Sequence, residues 1–231
     1  MVLYDIGAGL VRWIFDRRIA GPPILDTEAF FPDGTKFAAA WPDIRREAER
    51  VAQQFARIPR FHELMPEQAD ISANDGRDWR LFVLKAYGIA NAENMAACPA
   101  LARIVASSPD VLSASFSFLE QGKHVPAHRG PFRGVLRFYM GLSIPTFSDG
   151  RPAAILKIAG EEHPVRDGEW LLWDDTYLHE TWNRGEAIRC VLLLDVRRRH
   201  MPIDMRLLAN AIIWAVARAV RRRGFDPAPA G

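Results

Sequence analysis

Two histidines and two arginines carry the chemistry this sequence can do. His128 ends the stretch Gly122-Lys-His-Val-Pro-Ala-His128, followed by Arg129-Gly130-Pro131, and His179 lies 51 residues on, within Trp173-Asp-Asp-Thr-Tyr-Leu-His179-Glu-Thr-Trp-Asn183. Neutral imidazoles at the ends of two strands can converge on one divalent metal. A histidine pair alone is more often a pair of satisfied structural residues. The arginines add weight: Arg137 follows His128 by nine residues and Arg189 follows His179 by ten, each among Val, Leu and Ile. An arginine on a buried strand needs an anion. That anion is either a dicarboxylate co-substrate beside an iron, held bidentately by the guanidinium fork, or an internal acid, for which Asp174, Asp175 and Asp195 are available.

The surrounding elements must bring these four residues together. Apolar and polar residues alternate from Val111 to Phe118, with Ser113, Ser115 and Ser117 set against Leu112, Ala114 and Phe116. This is the period of a half-buried strand. Further strands are predicted over 79–87, 134–142, 153–158, 170–173 and 188–196, separated by turn signals such as Asp149-Gly150, Asp167-Gly168 and Asn183-Arg184-Gly185. Short strands punctuated in this way predict a mainly β fold with flanking helices, its core a jelly roll, the cupin-like double-stranded β-helix. The division expected is an N-terminal helical segment (1–70), a barrel (71–200), and a C-terminal amphipathic helix with its tail (201–231).

At the N-terminus Leu3, Ile6, Leu10 and Trp13 or Ile14 make one apolar helix face, and a second helix is predicted from about Lys36 to Ile58, with Pro42 near its start. From Asp204 to Arg223, Leu208, Ile212, Val216 and Val220 recur every fourth residue, with Arg218, Arg221, Arg222 and Arg223 at the far end. This helix either packs on the back of the barrel or lies at an anionic membrane surface. Thirty basic against 28 acidic residues give a formal charge of +2, which excludes a nucleic-acid footprint spread over the chain. Cys98 and Cys190 stand far apart, so neither a disulfide framework nor a cysteine zinc site is available. With no convincing signal peptide, the expected location is the cytoplasm, in contact with the inner face of the membrane if the terminal helices bind lipid.

An ordered set of residues from Trp79 to Val196 resembles the aspartyl/asparaginyl beta-hydroxylase family of iron and 2-oxoglutarate dioxygenases, including bacterial members and related lipid A hydroxylases. The set includes Trp79, Tyr87-Gly88, Phe116-Ser117, Gly122 through His128-Arg-Gly-Pro, Leu136-Arg137, Gly141-Leu142, Asp174-Asp175-Thr176, His179-Glu180, Trp182-Asn183, Arg189 and Asp195. The resemblance implies that His128 and His179 are ligands of Fe(II) and that Arg189 anchors the distal carboxylate of 2-oxoglutarate. It also gives Ser117 a co-substrate hydroxyl and makes Arg137 the arginine near the metal. The family often has a histidine where this chain has Tyr139.

The usual facial triad places a carboxylate two residues after the first histidine, and here that position is Gly130. The peptide hydroxylases of the family share the glycine, whereas the lipid A hydroxylases carry aspartate. Water steadied by Asp174 or Asp175 is expected in place of the missing ligand, and a hydroxylase is expected to tolerate Gly130→Asp. The implied reaction uses O2 and 2-oxoglutarate to hydroxylate an unactivated carbon, either the beta carbon of an aspartyl or asparaginyl residue or an acyl chain. Its partners would be a small-molecule, peptidyl or lipid-linked substrate. A halogenase, with chloride at the position of Gly130, and a non-catalytic metal-binding module are the alternatives.

Overall fold

The computed structural model describes residues 2–225, with side chains from Gly7 onward. Leu3 and Ile6 of the predicted N-terminal apolar row, and the tail over 226–231, therefore lie outside the described side chains. Helix α1 (Val2–Asp16) leads into α2 (Thr27–Phe30), α3 (Gly34–Ala39), α4 (Trp41–Ala52) and α5 (Phe61–Leu64). Strands β1 (Trp79–Ala86) and β2 (Ile89–Ala90) precede helices α6 (Ala92–Ala97) and α7 (Pro99–Ala106). The barrel strands follow as β3 (Val111–Leu119), β4 (His124–His128), β5 (Val135–Ser143), β6 (Ala154–Ile158), β7 (Glu161–Pro164), β8 (Trp170–Trp173), β9 (His179–Asn183) and β10 (Arg189–Arg197), before α8 (Ile203–Arg223).

The strands form a six-stranded sheet in the order β2-β1-β3-β10-β5-β8 and a four-stranded sheet in the order β4-β9-β6-β7. From β3 onward the chain changes sheet at each step except β6 to β7, and every named strand pair is antiparallel. This is the double-stranded β-helix. Two sheets wound in this way bring β4 and β9 of the small sheet opposite β3, β5 and β10 of the large one, enclosing a cavity between them.

Two predicted elements are corrected. The helix expected over 36–58 is two helices: α3 ends at Ala39, capped by Ala40, and Pro42, which has no N–H to give, sits in the first turn of α4. The strand expected to end at Tyr87 stops at Ala86, because Tyr87 and Gly88 take positive φ values of 46° and 86° and turn the chain into β2.

Both faces of β3 are buried rather than one. On its outer face Phe116 and Phe118 join Phe138 and Leu192 under the helices, which contribute Phe31, Phe37, Ile44 and Leu101. On its inner face Ser115 and Ser117 are buried as well, facing the barrel interior. Strands β4 and β9 escape the alternation pattern because their inner positions carry polar side chains. Pro126 is tolerated because β4 is an edge strand, where a missing ladder donor costs little. Helix α8 packs Met205, Ala209 and Ile213 with Phe15 and Ile19 onto Leu112, Phe132 and Val135 at the back of the barrel. Among the described residues no helix is long and apolar enough to cross a membrane.

Candidate active site

His128 at the end of β4 and His179 at the start of β9 are register partners, with ring centroids 4.1 Å apart. Each ring is fixed by its own backbone: His128 Nδ1 lies 2.7 Å from the Pro126 carbonyl, and His179 Nδ1 lies 2.8 Å from the Tyr177 carbonyl. A carbonyl only accepts, so Nδ1 carries the proton in both rings, leaving the Nε2 lone pairs to bind. Burial holds His128 below the ordinary histidine range, and burial together with the His128 ring next to it holds His179 well below that range. Both are neutral, as metal ligation requires. Trp173 supports His179 edge-on at 4.5 Å. The donor set fits a divalent ion with two protein ligands, and among the described residues no cluster of three His, Cys, Asp or Glu side chains forms a fuller cage.

Arg189 is 3% exposed, and no carboxylate pairs with it among the described residues. Its Nη1 reaches Ser117 Oγ at 3.4 Å, its Nε has no hydrogen-bond partner, and its guanidinium lies 5.2 Å from the Tyr139 ring. Trp79 Nε1 donates to the same Ser117 Oγ at 3.1 Å. These residues and the two histidines line one cavity. A buried, unneutralised guanidinium with an orphaned donor is costly unless a ligand anion completes it.

Arg137 also lines this cavity but is neutralised internally, by Asp195 at 3.0 Å and Asp175 at 3.2 Å. The two adjacent aspartates have separate fates. Asp174 accepts from the Thr176 backbone and hydroxyl, from Arg198 at 2.8 Å and from Arg133 at 3.1 Å, so both of its oxygens are engaged. Asp175 keeps a buried Oδ1 without a partner, and burial pushes its carboxyl up to about 7 against the pull of Arg137. A Cβ added to Gly130 would stand 2.1 Å from Asp175 Oδ1. Of the two expected carboxylates, Asp175 is therefore the one at the position of the missing ligand. The expectation that Gly130→Asp is accommodated is corrected, since a second carboxylate would have to enter filled space.

Other histidines lie away from this cluster. His124 stacks on Trp182 and faces Glu180 at 3.4 Å, His62 bonds Ser72, and His200 bonds the Ala29 carbonyl. Cys190 is a core residue, and burial raises its thiol. Arg129 donates to the Thr176 carbonyl, and Arg133 is committed to Asp16 and Asp174. Arg12 is a neighbour that sequence reasoning missed: its Nη1 donates to the Gly130 carbonyl at 3.1 Å. No sequence signal marks it, because its partner is a backbone atom 118 residues away.

The fold and site define a double-stranded β-helix barrel with a two-histidine centre facing a buried cationic pocket. Residues 38–199 match the aspartyl/asparaginyl beta-hydroxylase family, and the chain belongs to it. It is 35% identical over 178 residues to the ornithine lipid ester-linked acyl 2-hydroxylase of Rhizobium tropici, a match covering 77% of this chain and 61% of that protein. It is 26% identical over 151 residues to the aspartyl/asparaginyl beta-hydroxylase of Homo sapiens, covering 60% of this chain and 19% of that one. The chain thus spans less than two thirds of either relative. Among solved structures, a prolyl-4-hydroxylase from Pseudomonas putida superposes with a TM-score of 0.42 at 16% identity, covering 69% of this chain and 88% of that one.

Proposed function

We propose that this chain is an Fe(II)- and 2-oxoglutarate-dependent hydroxylase acting on an acyl chain of an amino-acid-bearing membrane lipid. The observation that carries the co-substrate assignment is Arg189, buried beside the histidine pair with no acidic partner and an orphaned Nε. The substrate class rests on the similarity to the bacterial acyl 2-hydroxylase. The beta carbon of an aspartyl or asparaginyl residue is the second reading, favoured by Gly130 and by the similarity to the human hydroxylase.

In this mechanism His128 and His179 would hold the iron through Nε2, since their Nδ1 atoms are locked to backbone carbonyls. Iron bound there would supply O2 activation, coupled to conversion of 2-oxoglutarate into succinate and carbon dioxide. Arg189, Ser117 and the Trp79 indole N–H form the polar end of the pocket, where a distal carboxylate gains charge-assisted hydrogen bonds. Arg137, held in place by Asp195 and Asp175, lines the same cavity as the histidine pair and Arg189. Asp175 presents a carboxyl where a ligating side chain at 130 would stand, suited to hydrogen-bond a water there and, when ionised above about pH 7, to repel chloride. Hydroxylation is therefore favoured over halogenation, with turnover indifferent to chloride. A non-catalytic module would have no physical need for an unneutralised Arg189.

The test is an anaerobic titration of the full chain with Fe(II) and 2-oxoglutarate, followed by addition of O2 and assay of succinate. Binding of both and succinate formation are expected, and His128→Ala or His179→Ala should abolish iron binding while leaving the fold intact. Failure of the protein to bind either ligand would overturn the assignment. Mass spectrometry of a hydroxylated acyl lipid against a hydroxylated aspartyl peptide separates the two substrate readings.

A further inference from the structure

Five large apolar side chains of α1 and α8 stand in solvent: Leu10 at 58% and Trp13 at 52% exposure on α1, and Ile203 at 67%, Leu207 at 63% and Trp214 at 65% on α8. On α8 their spacing of four and seven residues keeps them in one row. The buried row of the same helix, Met205, Ala209 and Ile213, also steps by four but is offset by two residues, which places it on the opposite face. Helix α8 thus has two apolar rows, and the core accounts for one of them.

The chemistry around the outer row specifies its occupant. From Met205 to Arg223 the helix contains no acidic residue and five arginines. The outer row runs on into Arg218 and Arg221, and with Arg222 these form no ion pair among the described residues. On these two helices each exposed indole carries a guanidinium on its face, Arg17 at 3.9 Å from the Trp13 ring and Arg218 at 5.9 Å from the Trp214 ring. Tryptophans flanked by arginines, with aliphatic neighbours, match the interfacial zone of a bilayer whose head groups are anionic. The two helices share one core cluster, and Arg18, two residues past the end of α1, pairs with Asp204 of α8 at 2.7 Å. Arg12, between Leu10 and Trp13 in the chain, bonds the Gly130 carbonyl beside the histidine pair. Both helices lie outside the 38–199 region shared with the family.

We propose that α1 and α8 form a docking surface for an anionic lipid bilayer, seating the chain with the edge of its histidine site beside the membrane. The link from docking to turnover rests on the lipid-hydroxylase reading; the docking itself does not.

The experiment is co-sedimentation of the full chain with vesicles of phosphatidylglycerol and phosphatidylcholine against pure phosphatidylcholine vesicles, with tryptophan emission recorded in parallel. Binding only to the anionic vesicles, with a blue shift of the emission, is expected. Leu207→Ser combined with Trp214→Ser should weaken binding at least about tenfold, as should Arg218→Glu combined with Arg221→Glu. All four positions are exposed and outside the site, so vesicle-free succinate formation should be unchanged. No binding to anionic vesicles, or binding unaffected by either double variant, overturns the proposal. So does a gel-filtration shift from dimer to monomer in the Leu207→Ser, Trp214→Ser variant without vesicle binding by the parent, since the row would then join two copies of this chain. Succinate formation without vesicle binding refutes docking alone, and vesicle binding without succinate refutes the hydroxylase reading alone.

Discussion

The carboxylate of Asp175 fills the space that a side chain at position 130 would take, with Oδ1 2.1 Å from where a Cβ on Gly130 would lie. The two residues are joined by backbone as well, since the Gly130 N–H donates to the Asp175 carbonyl at 2.7 Å. A glycine at this position and an aspartate four residues before His179 are therefore one device. The first residue gives up its side chain so that the second can present its carboxylate. Because Asp175 is boxed in by Arg137, it cannot swing aside freely.

From this follows the effect of Gly130→Ala. A single methyl should displace the Asp175 carboxylate and cost about 1–3 kcal/mol of stability, the usual cost of overpacking. Iron binding through the two histidines should survive, and succinate formation should fall. Gly130→Asp should do worse, because it forces a second carboxyl into buried space that Asp175 already fills. Thermal melts and iron titrations of both variants check this; wild-type stability and turnover in Gly130→Ala would show that Asp175 is not held there in solution.

Arg189→Met separates stability from function. Replacing a buried, unneutralised guanidinium with an apolar side chain of similar length removes a desolvation cost, so the variant should melt at or above the wild-type temperature. It should also lose 2-oxoglutarate affinity by roughly 2 kcal/mol or more, about thirtyfold. In the parent, 2-oxoglutarate with Fe(II) should raise the melting temperature through linkage, and in the variant it should not. A variant that is destabilised and still responds to 2-oxoglutarate would make Arg189 a structural residue.

Much of this was legible in the sequence, for identifiable reasons. The apolar runs of β5 and β10 marked buried strands, and they placed Arg137 and Arg189 where an anion was required. What alternation could not supply was the choice of anion. Arg137 finds Asp195 and Asp175, while Arg189 finds none, and this depends on which residues face each other across β5 and β10. Asp174 and Asp175 were likewise indistinguishable, because they sit in a turn after β8, where no period assigns a face. For β4 and β9 the sequence placed the histidines at strand ends but gave no bounds, because Pro126 and the polar side chains of the site interrupt the alternation. On α8 the regular aliphatic row drew attention to the core face and left the parallel row of Ile203, Leu207 and Trp214 unread.

The raised Asp175 carboxyl predicts a pH dependence of stability. Its folded value of about 7 lies above the ordinary 3.8, so between these limits the folded chain keeps a proton that the unfolded chain has released. Its contribution is present at low pH and is lost as pH rises toward about 7. Asp175→Asn should remove this slope and gain on the parent by on the order of 2–4 kcal/mol as pH rises from about 4 to about 7. The histidine pair, with depressed values, contributes the opposite slope, stability being lost as pH falls below 6.5, but it is common to both proteins and cancels in the difference. Urea denaturation of chelator-treated parent and variant across this range is the measurement, and a pH-independent difference would refute the shift.

The last prediction concerns two consecutive residues of α8, one buried and one exposed. Ile213 is 7% exposed in the cluster with Phe15, Met205 and Ala209, whereas Trp214 is 65% exposed. Ile213→Ala removes packed methyl groups and leaves a cavity between helix and barrel, which should cost about 2–4 kcal/mol. Trp214→Ala removes a much larger side chain, but one that solvent already surrounds, so stability should change by no more than about 0.5 kcal/mol. If size governed the outcome the order would reverse; here burial decides it. Chemical denaturation of the two variants distinguishes the cases, and a Trp214→Ala loss as large as that of Ile213→Ala would mean that the indole is covered in the folded protein in solution.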